Sequence, residues 1–257
     1  MSPSRQRKGI FLCLYIFSKM IELFYMLKEI IDKFYLDKEK YKKEQTSFYI
    51  SEAGKCPRQV FFKFKNAPKK DLEAAFLRLF DHGENMHKLI MKPLLSTRDI
   101  HVVASEIDIP PQEIVRGRAD AVLSDGKELF VLDIKSMNSM VFRNLQQPKE
   151  ENVLQLQLYL HFFKIPKGIL LYVDKDRLEL KEFLVNYNPA IAEQLISGLS
   201  ALKKQIADNT IPARIPGYPS VWQCQYCQYF DVCKLGKQEE MNWEELKKKI
   251  EQMNGGK

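Results

Sequence analysis

Three charged residues on two neighbouring predicted strands are the part of this chain best suited to chemistry. Asp120 follows Gly117 after two residues, and Asp133 and Lys135 stand thirteen and fifteen positions after Asp120. Because strand side chains alternate, Asp133 and Lys135 project from the same face of their strand. A short hairpin connection can bring Asp120 beside Asp133. Two converging carboxylates make a site for Mg²⁺ or Mn²⁺, which both prefer oxygen ligands.

The lysine completes the chemistry that the two carboxylates suggest. A divalent metal lowers the pKa of its bound water and stabilises the charge that develops on a phosphate during in-line displacement. Lys135 can position that water or neutralise the developing negative charge. The alternative is a buried Asp–Lys ion pair without a catalytic role, and Asp133-x-Lys135 taken alone favours it. The Gly117-x2-Asp120 segment on the paired strand shifts the balance toward a metal-dependent phosphodiesterase centre.

The predicted secondary structure places this centre in a mixed sheet flanked by helices. Asp125-Gly126 is a strong signal for a tight hairpin between the strands that carry the acidic residues. The order of the elements indicates an α/β (α+β) fold with a mixed central sheet. The predicted strands are Ile100–Ile109, Glu113–Leu123, Lys127–Ser136, Gly168–Val173 and Leu178–Val185. The predicted helices are one that continues to about Lys43, Asp71–Leu95, Leu145–Phe163, Pro189–Ala207 and one from Trp243.

Two further polar groups lie on predicted helices around these strands. His87 is near the end of the helix before the sheet. Gln155 and Tyr159 share one face of the helix after it, because they are four residues apart. A lone helical histidine is usually structural or solvated, and a Gln-x3-Tyr pair alone is a weak signal. Their order around the strand motifs is what gives them weight.

This order of residues resembles the RecB-type motifs of the PD-(D/E)XK nuclease superfamily. The resemblance rests on His87, Gly117-x2-Asp120, Asp133-x-Lys135 and Gln155-x3-Tyr159. It implies a restriction-endonuclease-like core in which three side chains and one backbone carbonyl hold Mn²⁺ or Mg²⁺, namely those of His87, Asp120, Asp133 and Ile134. It also implies that Lys135 is catalytic with the two aspartates, and that Gln155 and Tyr159 assist. Many relatives have Glu in place of Asp133, and the family pattern permits both.

Three cysteines near the C-terminus form a second candidate site. Cys224, Cys227 and Cys233 lie within ten residues and need a fourth ligand. Cys56 is the better candidate, since it begins a motif of its own whereas Cys13 lies in an apolar stretch. Four thiolates can hold zinc or an iron–sulfur cluster, and the single C-x2-C pair leans slightly toward the cluster. The odd number and uneven spacing of the cysteines favour a reducing, cytoplasmic compartment over a disulfide framework.

The placement of the cysteines is similar to that in the iron–sulfur RecB-like nucleases. One cysteine precedes the nuclease motifs and C-x2-C-x5-C follows them, as in the CRISPR-associated Cas-four exonucleases. The resemblance implies a 4Fe–4S cluster subdomain, with zinc as the alternative. It further implies an exonuclease for single-stranded DNA or overhangs, which processes DNA fragments in CRISPR adaptation with integrase proteins. A stand-alone viral or cellular repair nuclease and a non-catalytic, cluster-bearing DNA-binding scaffold remain as alternatives.

The composition suits a folded protein with an anionic partner. The chain has 257 residues, a net charge of +7, and 45% hydrophobic and 28% charged residues, without a bias toward disorder. Lys63 and Lys65 interleave with phenylalanines in a segment that can contact phosphates and stack on DNA bases. Arg118 joins them as a candidate DNA contact. The alternative for the lysine segment is a solvated face over a buried aromatic ridge.

Four parts are expected along the chain. They are an N-terminal helix at 1–46, a cluster-linked helical segment at 47–98, the nuclease core at 99–209, and the cysteine cluster with a last helix at 210–257. The apolar run from Ile10 to Phe17 faintly resembles a signal peptide, but it is too short to span a bilayer. We therefore expect no membrane association, and translation from Met20 or Met26 would account for the odd leader.

Overall fold

The computed structural model describes residues 26–38 and 45–254. These residues fall into two units, of which the first contains 26–38 and 72–82 and the second contains 45–71 and 83–254. The predicted leader, Cys13, and the predicted continuation of the N-terminal helix to Lys43 lie outside the described residues. Within the described part, no helix is both long and apolar enough to cross a membrane.

The described residues form helices, short strands and one five-stranded sheet. The helices are α1 (26–38), α2 (Pro57–Phe64), α3 (Ala74–Leu94), α4 (Ser139–Arg143), α5 (Glu150–Phe163), α6 (Pro189–Ala207), α7 (Trp222–Gln225), α8 (Phe230–Lys234) and α9 (Trp243–Asn254), with a 3-10 turn at Ile50–Glu52. The strands are β1 (Phe48–Tyr49), β2 (His101–Asp108), β3 (Val115–Arg116), β4 (Arg118–Ser124), β5 (Leu129–Met137), β6 (Lys167–Asp174), β7 (Leu180–Asn186), β8 (Thr210–Ile211) and β9 (Met241–Asn242).

The first unit joins two helical segments through charged side chains. Lys28 Nζ lies 2.5 Å from Asp32 Oδ2, one turn further along α1. Arg78, at the start of α3, contacts the same carboxylate. Both cations are substantially exposed, so these ion pairs add little to the free energy of folding.

The central sheet has the strand order β2-β4-β5-β6-β7. Only β5 and β6 run parallel, while the other neighbouring pairs are antiparallel. A parallel pair needs a long crossover connection, which α4 and α5 supply here. The predicted mixed sheet with flanking helices is therefore confirmed.

The hairpin between β4 and β5 is wider than a tight two-residue turn. The last paired residues before the loop are Ser124 and Leu129, so four residues lie between them. The Asp125 carboxylate accepts backbone hydrogen bonds from Lys127 at 2.9 Å and Glu128 at 2.8 Å. These bonds stabilise the longer loop, because an aspartate side chain can replace a backbone acceptor in a turn.

The two faces of the sheet are covered by different helices. On β5, Leu132 and Ile134 belong to a buried cluster with Met86 of α3. Val131, on the opposite face, belongs to the main core, which also contains Leu156 of α5. Because strand side chains alternate, Asp133 continues the Val131 face and is directed toward α5.

Candidate active site

Asp120 and Asp133 lie on adjacent strands, at the point where the pairing of β4 with β5 ends. The last paired residues are Ala121 and Leu132. Just beyond them, Asp120 Oδ2 accepts a 2.6 Å hydrogen bond from the backbone N–H of Ile134. The Asp120 side chain thus reaches across to β5, and its charge acts on Asp133. The structure brings the two aspartates together as the sequence predicts.

Asp133 is a buried carboxylate in an environment that disfavours its charge. It is 3% exposed, and burial raises its pKa to about 6, although Lys135 counteracts this shift. Lys135 Nζ lies 2.9 Å from Asp133 Oδ2, so the ion pair of the alternative interpretation is present. The contact lacks hydrogen-bond geometry, however, and no donor among the described residues satisfies Oδ2. Asp133 Oδ2 is therefore balanced by the charge of Lys135 but accepts no hydrogen bond, and a buried carboxylate is costly unless it is paired or bound to a metal.

Gln155 holds the lysine and the aspartate together. Lys135 Nζ donates a 2.9 Å hydrogen bond to Gln155 Oε1. The amide nitrogen of the same side chain lies 3.5 Å from Asp133 Oδ1. Gln155 therefore fixes the lysine at the carboxylate from the side of α5, where the sequence places it.

Tyr159 lies one turn further along α5 and supports the start of β4. Its hydroxyl donates a 2.7 Å hydrogen bond to the backbone carbonyl of Arg118, two residues before Asp120. Burial raises the pKa of the phenol, so the group remains a protonated donor across the physiological range. Tyr159 thus fixes the strand that carries Asp120.

His87 completes the row of polar groups from the side of α3. Its Nδ1 lies 3.1 Å from Asp120 Oδ1, and this hydrogen bond raises the pKa of the imidazole. Both oxygens of Asp120 are therefore engaged, one by His87 and the other by Ile134.

Hydrogen bonds connect the predicted ligands, but their side chains do not converge on a single point. Among the described residues, no three His, Cys, Asp or Glu side chains are grouped closely enough to hold a metal ion. Mg²⁺ is usually held by one or two carboxylates plus substrate phosphates, rather than by a cage of protein groups alone. The donor types present and the unsatisfied Asp133 Oδ2 suit such a cation.

The four predicted cysteines line one cavity that is partly open to solvent. Three come from the C-terminal segment, where α7 and α8 carry Cys224 and Cys233 and Cys227 lies between them. Cys56 comes from far away in the chain and directly precedes α2. Tertiary folding therefore brings together the four thiols that were singled out from the sequence.

Three of the thiols in this cavity have raised pKa values, which favours their protonated form. Burial raises the pKa of Cys56 and Cys224, and it raises the pKa of Cys227 to about 11. The neighbouring cysteines push in the same direction, because each thiolate disfavours the next one. A positively charged group at the centre would reverse this effect, since thiolates are the form that binds metals.

The three candidate DNA contacts are dispersed and partly engaged with protein groups. Lys63 lies 2.6 Å from the buried carboxylate of Glu52. Lys65 donates a 2.6 Å hydrogen bond to Asn209. The Arg118 guanidinium is more exposed and lies 3.5 Å from a Glu106 oxygen, at the distance of a loose ion pair.

The two phenylalanines directly before Lys63 do not face the solvent. Phe61 is 0% exposed and Phe62 is 1% exposed. Both rings pack against Trp243, with centroids about 6 Å apart. The prediction that they stack on bases is wrong, because these apolar rings complete the core; the alternative of a buried aromatic ridge is correct for them.

Two arginines at the cysteine cavity were missed by the sequence interpretation. Arg58 and Arg214 both line it. The available signal was a charged residue directly after Cys56 and Pro57, ahead of the apolar residues Val60 to Phe62. For Arg214, in a proline-rich loop, the sequence carries no comparable signal.

A mixed sheet that carries a buried Asp-x-Lys beside a second aspartate on the adjacent strand defines a metal-dependent nuclease. The chain belongs to the PD-(D/E)XK nuclease superfamily, which it matches over residues 57–234. The resemblance inferred from the motifs is therefore confirmed at the level of the family.

The chain is similar to several named proteins. The chain is 26% identical over 199 residues to the CRISPR-associated exonuclease Cas4 of Saccharolobus solfataricus, covering 74% of this chain and 89% of that protein. The crystal structure of a protein designated SSO0001 superposes with a TM-score of 0.53 and 23% identity, covering 81% of this chain and 96% of the other. An alkaline exonuclease from Laribacter hongkongensis superposes with a TM-score of 0.47 and 14% identity, covering 63% and 88% respectively.

Proposed function

We propose that the protein is an exonuclease that removes nucleotides from single-stranded DNA or overhangs in a reaction that depends on Mn²⁺ or Mg²⁺. The observation that carries the proposal is the buried Asp133 carboxylate, whose Oδ2 accepts no hydrogen bond from the described residues and is paired only with Lys135, at 2.9 Å. A purely structural ion pair would be more stable with both oxygens hydrogen-bonded. The relative from Saccharolobus solfataricus is named an exonuclease, which supports the same reaction.

Four groups would hold the metal, namely the side chains of His87, Asp120 and Asp133 and the carbonyl of Ile134. The metal would supply Lewis acidity toward the phosphate and a more acidic bound water. Asp120 is already held in place by its contacts with His87 and the Ile134 amide. Asp133 is kept in a low-polarity environment, where its interaction with a cation is strengthened.

Lys135 is the proposed catalytic cation. Its ammonium group is fixed between Asp133 and Gln155, so it needs little reorganisation to stabilise negative charge on a phosphate. Gln155 orients this ammonium, and Tyr159 fixes the backbone beside Asp120 through Arg118. Lys63, Lys65 and Arg118 are proposed contacts for DNA phosphates. Of these, Arg118 lies on β4, two residues before Asp120.

The cysteine cavity is proposed to hold a 4Fe–4S cluster. The four cysteines line one cavity, which supports a shared centre with four thiolate ligands. Zinc bound by the same four thiolates is the alternative. The proposed centre would also tie the segment before the nuclease core to the segment after it.

Processing of DNA fragments for CRISPR adaptation is the proposed biological role, with integrase proteins as partners. The support is the name of the relative, a CRISPR-associated exonuclease that aligns with 74% of this chain. Trimming of DNA supplied with integrase proteins, followed by integration of the trimmed product, would support this role. Equal trimming without any effect on integration would favour a stand-alone repair nuclease.

The test of the enzymatic proposal uses linear and circular single-stranded DNA of one sequence with anaerobically purified protein. We expect Mn²⁺-dependent degradation of the linear form, with the circular form intact, and progressive release of label from one end. Asp120→Asn should abolish this activity. The matched change Asp108→Asn, on the exposed end of β2, should leave it unchanged. Degradation of circles would contradict the exonuclease assignment, and binding without cleavage would favour the scaffold.

A further inference from the structure

Arg58 is the largest of the fully buried side chains in the described structure, at 1% exposure. Its guanidinium donates hydrogen bonds to the backbone carbonyls of Pro212 at 2.7 Å, Lys237 at 2.9 Å and Glu239 at 3.0 Å. The same group also reaches Cys233 Sγ at 3.8 Å. One side chain on α2 therefore holds the two ends of the C-terminal cysteine segment.

Arg214 approaches the same cavity from the segment before α7. It donates to the backbone carbonyls of Cys233 at 2.6 Å and Gly236 at 2.8 Å. Its guanidinium lies 4.1 Å above the centre of the Tyr218 ring. Its buried Nε has no hydrogen-bond acceptor among the described residues.

Both charged side chains that line the cysteine cavity are thus cations. In the part of the chain that the structure describes, neither forms an ion pair with a carboxylate. Carbonyl groups satisfy the N–H donors of Arg58 but do not balance its charge. A buried cation without a counter-ion is strongly destabilising, and this applies to Arg58, whereas Arg214 is only partly buried. An anionic partner for Arg58 is therefore missing from the protein groups, and the cysteines of the cavity that both arginines line can provide it.

We propose that Arg58 and Arg214 balance the negative charge of the thiolate centre, and that Arg58 is the positioning residue that holds Cys233 at this centre. This inference rests on the proposed metal-loaded centre. Four thiolates around a core with two positive charges leave two net negative charges, which the two guanidinium groups neutralise. The hydrogen bond to Cys233 Sγ adds a direct contact, and such bonds to cluster sulfurs raise the reduction potential.

A merely structural arginine would also hold the carbonyls of the C-terminal segment, so stability alone does not test the proposal. The reduction potential distinguishes the two roles, because it responds to charge near the centre. Removal of a nearby cation makes the addition of an electron less favourable. A residue that only pins a loop would not shift the potential of a folded, loaded protein.

The experiment compares wild type with Arg58→Lys, Arg58→Met and Arg214→Met, each purified anaerobically. Arg143→Met, on the exposed part of α4, is the matched control. Iron and sulfide content is followed during dialysis against a chelator, and the reduction potential is measured by spectroelectrochemistry. We expect the Met variants to lose iron about 10–100-fold faster than wild type, as for other residues that contact metal ligands. The potential should become more negative in both, while Arg58→Lys keeps the potential closer to wild type but still loses iron faster.

Unchanged potentials in both Met variants would overturn the proposal. If Arg58→Met fails to fold, Arg214→Met decides the question of charge and Arg58→Lys decides the role of the hydrogen bonds. If the wild type takes up neither iron nor zinc, the inference fails together with the proposed centre. The nuclease proposal would stand in that case, because it is tested separately through Asp120 and DNA cleavage.

Discussion

Replacement of Asp133 by asparagine should make the stability of the protein depend less on pH. In the folded protein, burial raises the pKa of this carboxyl to about 6, compared with an ordinary value of 3.8. A raised pKa means that the folded state binds the proton more tightly than the unfolded state. The resulting stability is fully present below pH 3.8 and is lost as the pH rises through about 6.

The size of the effect follows from these two values. Between pH 5 and pH 8 the wild type should lose about 1 kcal/mol through Asp133 alone. Asp133→Asn carries no titrating proton at this position, so it should not show this loss. Asp133→Asn also changes the Lys135 contact, and the cost of that change is the same at both pH values. The free energy of unfolding of the variant, relative to wild type, should therefore rise by about 1 kcal/mol from pH 5 to pH 8, which corresponds to about 2–4 °C in Tm for a chain of this size.

The assay is thermal unfolding of both proteins under anaerobic conditions, without added divalent metal, at pH 5 and pH 8. Asp108→Asn, which removes an exposed carboxylate, is the control and should show no comparable shift. An equal difference in Tm between variant and wild type at pH 5 and at pH 8 would refute the reasoning. It would mean that the Asp133 carboxylate is not held in an environment that disfavours its charge.

Two further predictions concern the residues that frame the centre. A Cβ on Gly117 would lie 2.8 Å from Ile50 Cδ1, so Gly117→Ala should destabilise the protein by roughly 1–3 kcal/mol in thermal unfolding. A Cβ on Gly198, in α6, would meet no atom of a neighbouring element within 4 Å, so Gly198→Ala should instead stabilise the protein by about 0.5–1 kcal/mol. Equal effects of the two substitutions on stability would contradict the packing argument. The pKa of His87 is raised, chiefly by its hydrogen bond with Asp120, so the pair stabilises the fold fully below pH 6.5 and loses this effect as the pH rises through the folded pKa. His87→Gln should therefore lower Tm more at pH 6 than at pH 9, and a cost that does not vary with pH would contradict the role of the pair.

Elements with strong local signals could be predicted from the sequence alone. Helix α6 runs from Pro189 to Ala207 as expected, because Pro189 suits its first position and Asn188 caps it by accepting from the Ala190 amide. The positions of Asp133 and Lys135 on one strand face followed from simple alternation. Such features depend on residues close together in the chain.

Helix boundaries near proline and very short helices were less predictable. Helix α5 begins at Glu150 rather than at Leu145, since Pro148 disfavours helical backbone in the residue before it. The intervening segment contains α4, whose five residues are too few to show a helical period. Its N-terminus is stabilised by Asn138, which accepts from the Val141 amide. The start of α4 is therefore fixed by a single side-chain hydrogen bond, and a helix this short offers no periodic pattern from which to predict it.

Long-range partners were not predictable at all. Lys65 was a candidate DNA contact because of its charge, but its ammonium group binds Asn209, 144 positions later. Arg58 finds its acceptors 154 to 181 positions later. These contacts depend on how α2 packs against the C-terminal segment, and no local spacing encodes that packing.

Single-turnover cleavage of end-labelled, single-stranded DNA with Mn²⁺ is the most direct test of the central claim, that the Asp133–Lys135 pair is a catalytic centre. The variants are Lys135→Met and its matched control Lys127→Met, which lies in the exposed β4–β5 loop. We predict that Lys135→Met lowers the cleavage rate by about 10²–10³-fold or more and leaves DNA binding near wild type. The cleavage rate of Lys127→Met should remain near wild type. Equal rates for the two variants would contradict the account, because the buried pair would then serve only the fold.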